Sequence, residues 1–140
     1  MTAATVLVSI APERVSAAVT DSVLYWRDAT KTLYSSSVEI LGSYQTSGYK
    51  FVTAKTQIIN DSSGTRDAEC TLSYGGSVDR SRVKLSSKRR ATIFLEVMGS
   101  DNSGNAYLLC RVVSSSTSGV KTAWSKMNVM SINKGWAYQQ

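Results

Sequence analysis

The stretch YKFVTAKTQII, residues 49–59, alternates its side chains with the two-residue period of a β-strand. One face of this strand would carry four side chains, which are Val52, Ala54, Thr56 and Ile58. The same period recurs in six further runs, which are 68–72, 80–85, 91–97, 107–112, 120–124 and 126–132. No stretch keeps the 3.6-residue period of a helix for more than about two turns. The chain is therefore predicted to be all-β.

Short loop clusters separate these runs, and they are rich in glycine, asparagine, aspartate and serine, which favour turns. The clusters are residues 61–64, 74–77, 101–105 and 114–119. Strands of about five to ten residues between such loops indicate a β-sandwich or a β-barrel. A chain of 140 residues is long enough for one domain with a substantial core. We assign residues 21–140 to that domain, and residues 1–20, which lie outside the period, to an N-terminal arm or an extra strand.

A basic stretch lies between Asp79 and Arg90, and its cations equal in number the formal net charge of +6. These cations are Arg80, Arg82, Lys84, Lys88, Arg89 and Arg90. The first three occupy every second position, which predicts a basic contact surface on one strand and its turn. Three interpretations stay open: an edge strand that resists sheet-to-sheet aggregation, a surface that docks on an acidic protein or particle, and a nucleic-acid site. Nucleic acid is disfavoured, because no aromatic residue for base stacking occurs between Val78 and Thr92.

Catalytic and metal sites are not indicated by the composition. The sequence contains no histidine, so a Ser-His-Asp or Cys-His arrangement cannot form. The closest carboxylate pair, Asp67 and Glu69, is expected to face solvent from an alternating strand. The loops 61–67 and 101–105 carry oxygen ligands, but neither has the EF-hand spacing or a terminal bidentate glutamate. We therefore expect no enzyme activity, no metal and no cofactor.

Cys70 and Cys110 are the two cysteines of the chain, and each lies in the middle of a strand-like run. Two buried thiols are slightly favoured, because free cysteine is among the most buried residue types. A disulfide would require the two strands to bring the Cα atoms within about 4.4–6.8 Å of each other. The sequence does not give that pairing.

The aromatic residues lie outside the basic stretch. Tyr25 and Trp26 lie in the first half of the chain, and Trp136 and Tyr138 follow the last predicted strand. An exposed row of Tyr and Trp side chains would suit a subunit interface or a carbohydrate platform, so these four residues are interface candidates. Trp124 lies inside a strand run and is expected in the core.

The amino-terminal apolar run, residues 3–11, is not preceded by the basic residues of a secretory signal. A run of about nine residues is also much shorter than the roughly 20 that a membrane-spanning helix needs. The sequence therefore predicts a protein made in the cytoplasm, with no signal peptide, no transmembrane segment and no membrane partner.

Three strand motifs between Gly48 and Ile132 follow one another in a recognisable order: AECTLSYGG with Cys70, VDRSRVKL with Asp79, and AYLLCRV with Cys110. This order resembles a β-sandwich module of jelly-roll type that occurs in phage structural proteins and in surface-exposed bacterial repeats. The resemblance implies a single antiparallel, jelly-roll-like sandwich with a non-enzymatic structural role. It points most of all to a protein that decorates or stabilises a phage capsid, or that otherwise lies on the virion surface.

On this resemblance the expected location is the virion, and the expected partners are other virion proteins such as the major capsid protein. Further copies of the chain, as a homo-trimer, are expected as well. The N-terminal arm and the aromatic C-terminus would reach neighbouring subunits, and the basic stretch would face an acidic surface. A carbohydrate-binding or adhesin module, with a glycan as partner, is the alternative, and nucleic-acid binding ranks third.

Overall fold

The computed structural model describes residues 19–28, 30–46, 50–98 and 104–132, and within these ranges it contains nine strands and no helix. The strands are β1 (Val19–Arg27), β2 (Lys31–Thr32), β3 (Val38–Thr46), β4 (Lys50–Asn60), β5 (Arg66–Tyr74), β6 (Ser77–Leu85), β7 (Arg90–Met98), β8 (Gly104–Val112) and β9 (Val120–Ile132). Residues 1–18 of the predicted arm lie outside the described residues, and Val19 and Thr20 belong to β1.

Two antiparallel sheets contain these strands. The first sheet has the order β1-β9-β4-β7, with the short β2 beside β9, and the second has the order β3-β8-β5-β6. If β2 is set aside, the first strand pairs with the last, the second with the second-to-last, and so on inward to β5 with β6. The chain is thus one long hairpin folded over into two sheets of four long strands, which is an eight-stranded jelly roll. The predicted all-β, jelly-roll-like sandwich is confirmed.

The core fills the space between the two sheets, and the alternation along each strand decides which side chains enter it. On β7, Ile93, Leu95 and Val97 are buried, and the side chains between them are exposed. On β4, the four side chains predicted to share one face, which are Val52, Ala54, Thr56 and Ile58, are all buried. The second sheet contributes Tyr74, the largest of the fully buried side chains. The period in the sequence therefore identified the core faces of β4 and β7 correctly.

A disulfide joins Cys70 and Cys110, which corrects the expectation of two buried thiols. Strands β5 and β8 are neighbours in the second sheet, and their register places the two residues directly opposite each other. The Cα atoms are 4.1 Å apart, slightly closer than the usual range of about 4.4–6.8 Å, and both side chains are buried in the core. The bond depends on pairing between residues separated by 40 positions, which neither local sequence reveals.

Strand β9 is one strand of 13 residues, whereas the alternation in the sequence predicts two separate runs, 120–124 and 126–132. Its register against β4 explains the difference. Thr56 pairs with Ser125 and Ile58 pairs with Thr122, so two residues of β9 lie opposite one residue of β4. Such a β-bulge shifts the alternation of the strand by one position. The inner face of β9 consequently changes from even to odd positions, and Trp124 is half-buried instead of belonging to the core.

The buried side chain of Asn60 connects two loops at one end of the sandwich. Its amide nitrogen donates to the backbone carbonyl oxygens of Gly64 at 2.8 Å, Leu85 at 2.9 Å and Ser86 at 3.2 Å. Its amide oxygen accepts hydrogen bonds from the backbone N–H and the hydroxyl of Ser62, at 2.9 and 2.6 Å. The loop between β4 and β5 and the turn between β6 and β7 are held together in this way.

Candidate functional site

The basic stretch begins on β6, which is an edge strand of the second sheet within the described part of the chain. Arg80, Arg82 and Lys84 are exposed on the outer face of this strand, and Val83 between them packs against the core. The predicted alternation of this segment is present in the structure. Exposed arginine and lysine on an edge strand oppose pairing with another sheet, so this interpretation of the stretch has a structural basis.

Carboxylates on β5 face the cations of β6 across the strand pair. Glu69 is opposite Arg82, and its carboxylate lies 3.9 Å from the Arg82 guanidinium and 3.1 Å from that of Arg111 on β8. Asp67 is opposite Lys84 in the same register. Exposed ion pairs of this kind contribute only about 0–1 kcal/mol each to stability. Glu69 therefore offsets part of the positive charge at Arg82 and Arg111, and among the described residues no ion pair joins Asp67 to Lys84.

The rest of the basic stretch lies elsewhere. Lys88 occupies the turn after β6 with a positive φ of 64°, and its ammonium group donates to the backbone oxygen of Asp61. Arg89 is exposed in the same turn. Arg90 begins β7 in the first sheet and donates to the side-chain oxygen of Gln57 at 3.3 Å. The six cations are thus divided between two sheets and a turn.

Basic groups also lie at the loop 61–67, whose oxygen ligands are of the kind that bind calcium. The Asp61 carboxylate forms an ion pair with Lys121 at 2.7 Å, and the Asp61 backbone N–H donates to the Gly119 carbonyl at 2.8 Å. The hydrogen bond from Lys121 is the largest cause of a lowered pKa at the Asp61 carboxyl, and the charges of Lys121, Lys88 and Arg90 lower it further. A carboxylate already paired with the Lys121 ammonium group is poorly placed to bind a metal ion.

A second candidate surface lies on the outer face of the first sheet. Trp26 on β1 pairs in register with Lys126 on β9, Lys126 pairs with Lys55 on β4, and Lys55 pairs with Phe94 on β7. These four side chains form one line across four strands, with an aromatic ring at each end and two lysines between them. We call this line the lysine–aromatic row. Trp26 is 60% exposed and Phe94 is 50% exposed.

Each lysine of the row lies near an aromatic ring. The Lys126 ammonium is 5.7 Å from the ring centre of Trp26 and 5.5 Å from that of Trp124. The Lys55 ammonium is 5.7 Å from the ring centre of Phe94. These distances are within the range of cation–π contacts. The bulge in β9 therefore has a consequence for the surface, because it places Trp124 beside the row.

The face around the row is positively charged. Among the described outward side chains of β4, β7 and β9, the cations are Lys55, Arg90, Lys121 and Lys126, and the acid is Glu96. A shallow depression of about 190 Å³ opens beside the two lysines of the row, and its lining includes Leu24, Thr53 and Asn128. The combination of cations, exposed rings and a depression makes this face a candidate binding surface.

Of the four residues in this row, the sequence predicts only Trp26 as an interface candidate. The other three residues lie at positions 55, 94 and 126, so strand pairing alone brings them together. The alternating runs show that each of these residues faces outward. They do not show which outward residues become neighbours. Of the other interface candidates, Tyr25 is half-buried and packs against the core. Trp136 and Tyr138 lie outside the described residues.

In the ranges that the structure describes, no three His, Cys, Asp or Glu side chains come together in a group that could hold a metal ion. Those ranges also contain no helix of the length and apolar character that crossing a membrane requires.

Comparison with known proteins shows a similarity at the level of structure. No protein-family model matches the chain, and no curated protein matches it in sequence. Among solved structures, the chain is similar to the coat protein of Tobacco streak virus, with 12% sequence identity and a TM-score of 0.45. The similarity covers 82% of this chain and 88% of that coat protein. The assignment of this chain to the jelly-roll fold rests on its own strand order.

Proposed function

We propose that the protein is a structural component of a virus particle. The observation that supports this most is the strand order, because the eight-stranded jelly roll is a fold of viral capsid proteins, which share it with lectins and cupins. A second support is the edge of the second sheet, where Val78 on β6 is 54% exposed beside the basic residues of that strand. An apolar side chain at an unpaired strand edge suits contact with another protein.

Within this role, the protein decorates or stabilises the capsid of a phage, or lies elsewhere on the virion surface. It docks through β6 on an acidic surface of a major capsid protein, and it does so as a homo-trimer. Exposed Arg80, Arg82 and Lys84 would steer this encounter, since charges at the rim of an interface act mainly on association and on its salt dependence.

The test of the virion role uses particles from a culture that produces the protein. The particles are separated on a density gradient, and the fractions are probed with an antibody against the recombinant chain. We expect the protein to migrate with the particles and to remain with them after a second gradient. Recovery of the protein only in the soluble fractions would contradict the proposal.

The docking mode has its own test. The variant Arg80→Ser/Arg82→Ser/Lys84→Ser should bind stripped particles at least about tenfold more weakly at low salt. The control is Lys31→Ser/Lys55→Ser/Lys126→Ser, which also removes three cations but leaves β6 unchanged. Equal binding by both variants would exclude β6 as the docking strand. Light scattering during gel filtration would check the trimer.

A carbohydrate-binding or adhesin module is the second candidate function. The observation that favours it is the exposure of the Trp26 and Phe94 rings beside the depression on the first sheet, because sugars pack on such rings. A glycan array followed by titration of tryptophan fluorescence tests this candidate. A specific glycan whose binding is lost in Trp26→Ala would support it, and an array without signal would count against it.

A further inference from the structure

We propose that the outer face of the first sheet binds single-stranded nucleic acid, with bases stacked on Trp26 and Phe94 and phosphates bound by Lys126 and Lys55. This inference goes beyond the proposed function and uses a different surface from β6. The two proposals can be tested separately, because loss of nucleic-acid binding would not affect docking through β6.

The placement of the two lysines is the first argument. Lys55 and Lys126 are directly opposite each other on neighbouring strands, and both are exposed. Like charges in directly opposite positions destabilise a sheet. No carboxylate separates this pair in the register, because the next side chains along the row are Trp26 and Phe94. An anion bound between the two ammonium groups would attract both of them and would offset their mutual repulsion.

The aromatic rings are the second argument. Nonspecific single-strand binders combine a positively charged surface with exposed rings on which bases stack. Trp26 and Phe94 lie three strand spacings apart, which is roughly 14 Å at about 4.8 Å per spacing. That span equals about four nucleotide steps at roughly 3.4 Å per step in a stacked strand. Two base-stacking positions and the phosphates between them therefore match the dimensions of the row.

The present contacts of the lysines are compatible with this role. Lys126 lies over Trp26 and Trp124, and Lys55 lies over Phe94, in cation–π contacts that are weak at exposed sites. Lysine has a flexible stem and a compact charge, so each ammonium can turn from its ring to a phosphate. The ring face then becomes available for a base. A neutral glycan would use the rings but would leave the paired cations without a role.

The outer face of the first sheet has the exposed aromatic rings that the basic stretch lacks. Nucleic acid is disfavoured for residues 80–90 because the segment contains no aromatic residue, and Glu69 forms an ion pair with Arg82 within it. On the first sheet, cations and rings lie side by side, and the acid among the described outward side chains of β4, β7 and β9 is Glu96 near the β7 edge.

The experiment measures the fluorescence anisotropy of labelled oligonucleotides of about 12 residues, a length within the usual site size of a single-strand binder. One arm uses oligo(rU) and the other oligo(dT), so that RNA and DNA are distinguished. The wild-type chain is expected to bind at about 50 mM salt and to weaken steeply toward about 200 mM. A double-stranded oligonucleotide of the same length is expected to bind more weakly, because its bases are not free to stack.

Variants with matched controls distinguish binding by the lysine–aromatic row from general attraction to a basic protein. Lys55→Ala/Lys126→Ala should weaken binding and reduce the logarithmic salt slope by about 0.7 for each lost phosphate contact. The control, Arg80→Ala/Lys84→Ala, removes the same charge from the second sheet and should bind like the wild type. Trp26→Ala should weaken binding about 5- to 150-fold, and Trp26→Phe should restore most of it. Tyr34→Ala, which removes an exposed ring elsewhere, should have no effect.

Three results would overturn the inference. The first is no binding of either oligonucleotide by a folded wild-type chain at low salt. The second is equal weakening by the two charge variants, which would mean nonspecific attraction to a basic protein. The third is unchanged binding by Trp26→Ala, which would remove stacking from the mechanism. Circular dichroism of each variant checks that the fold is retained.

Discussion

Cys70 on β5 and Cys110 on β8 lie directly opposite each other in the second sheet and are joined by a disulfide in the middle of the core. The two cysteines are 40 residues apart in the chain, and strands β6 and β7 lie between the two strands that the bond links. It therefore constrains a large loop of the unfolded chain, in addition to the packing that the two sheets already provide.

Loss of this disulfide should lower the stability of the fold. The variant Cys70→Ala/Cys110→Ala should lose about 2–5 kcal/mol of unfolding free energy, because the unfolded chain regains the entropy of an open loop. Denaturant unfolding measures the effect with and without reductant. Reductant should destabilise the wild type and leave the variant unchanged. A wild type that is insensitive to reductant under unfolding conditions would contradict the assigned bond.

Gly119 is expected to be intolerant of a side chain. Its φ is +83°, and a Cβ atom there would lie 2.8 Å from the backbone nitrogen of Ser62. Gly76 has a similar φ of +86°, but a Cβ atom added to it would meet nothing within 4 Å, so it serves as the matched control. Gly76→Ala should cost about 1–2 kcal/mol from the left-handed backbone alone. Gly119→Ala should cost about 1–3 kcal/mol more, because the backbone of the neighbouring loop must move.

Thermal or denaturant unfolding of the two alanine variants gives this difference directly. Equal losses at both positions would show that the contact between Gly119 and the loop containing Ser62 does not constrain the fold.

Among the described asparagines, Asn60 should be the one whose replacement by alanine lowers the stability of the fold most. Asn60→Ala removes the side chain that connects the Gly64, Leu85 and Ser86 carbonyls, of which the Leu85 contact is buried and the other two are partly buried. We expect a loss of about 2–4 kcal/mol, because an unsatisfied buried group costs about 1–3 kcal/mol and the two partly buried carbonyls add smaller losses. Asn128→Ala is the control, because Asn128 is only half-buried. A cost at Asn60 no larger than that at Asn128 would contradict the connecting role.

The Asp61 carboxyl should titrate below its ordinary pKa of 3.8, because Lys121 donates a hydrogen bond to it. A lowered pKa in the folded state means that the stabilising contribution is complete above the ordinary value and is lost as the pH falls through the lowered one. NMR titration of the carboxyl measures the midpoint. Lys121→Met should raise it toward 3.8, and Lys126→Met, on the same strand, should leave it unchanged. No change in Lys121→Met would exclude the assigned cause.

Much of the fold can be predicted from local alternation. The period of two residues identified β4, β5, β7 and β8, and it placed Val52 and Ile58 in the core, because burial of one strand face requires apolar residues at every second position. The same reasoning separated β9 into two runs, since a bulge is a property of two paired strands. It also placed Trp124 in the core, for the same reason.

The sequence by itself determined the all-β class, the inward face of most strands and the alternation of Arg80, Arg82 and Lys84, because these follow from neighbouring residues on one strand. Only the tertiary structure decided which strands lie side by side. That pairing joined Cys70 to Cys110, divided the basic stretch between two sheets, and aligned Trp26, Lys126, Lys55 and Phe94 in one row. Hydrogen bonds between strands connect residues far apart in the chain, and an alternating pattern carries no information about their partners.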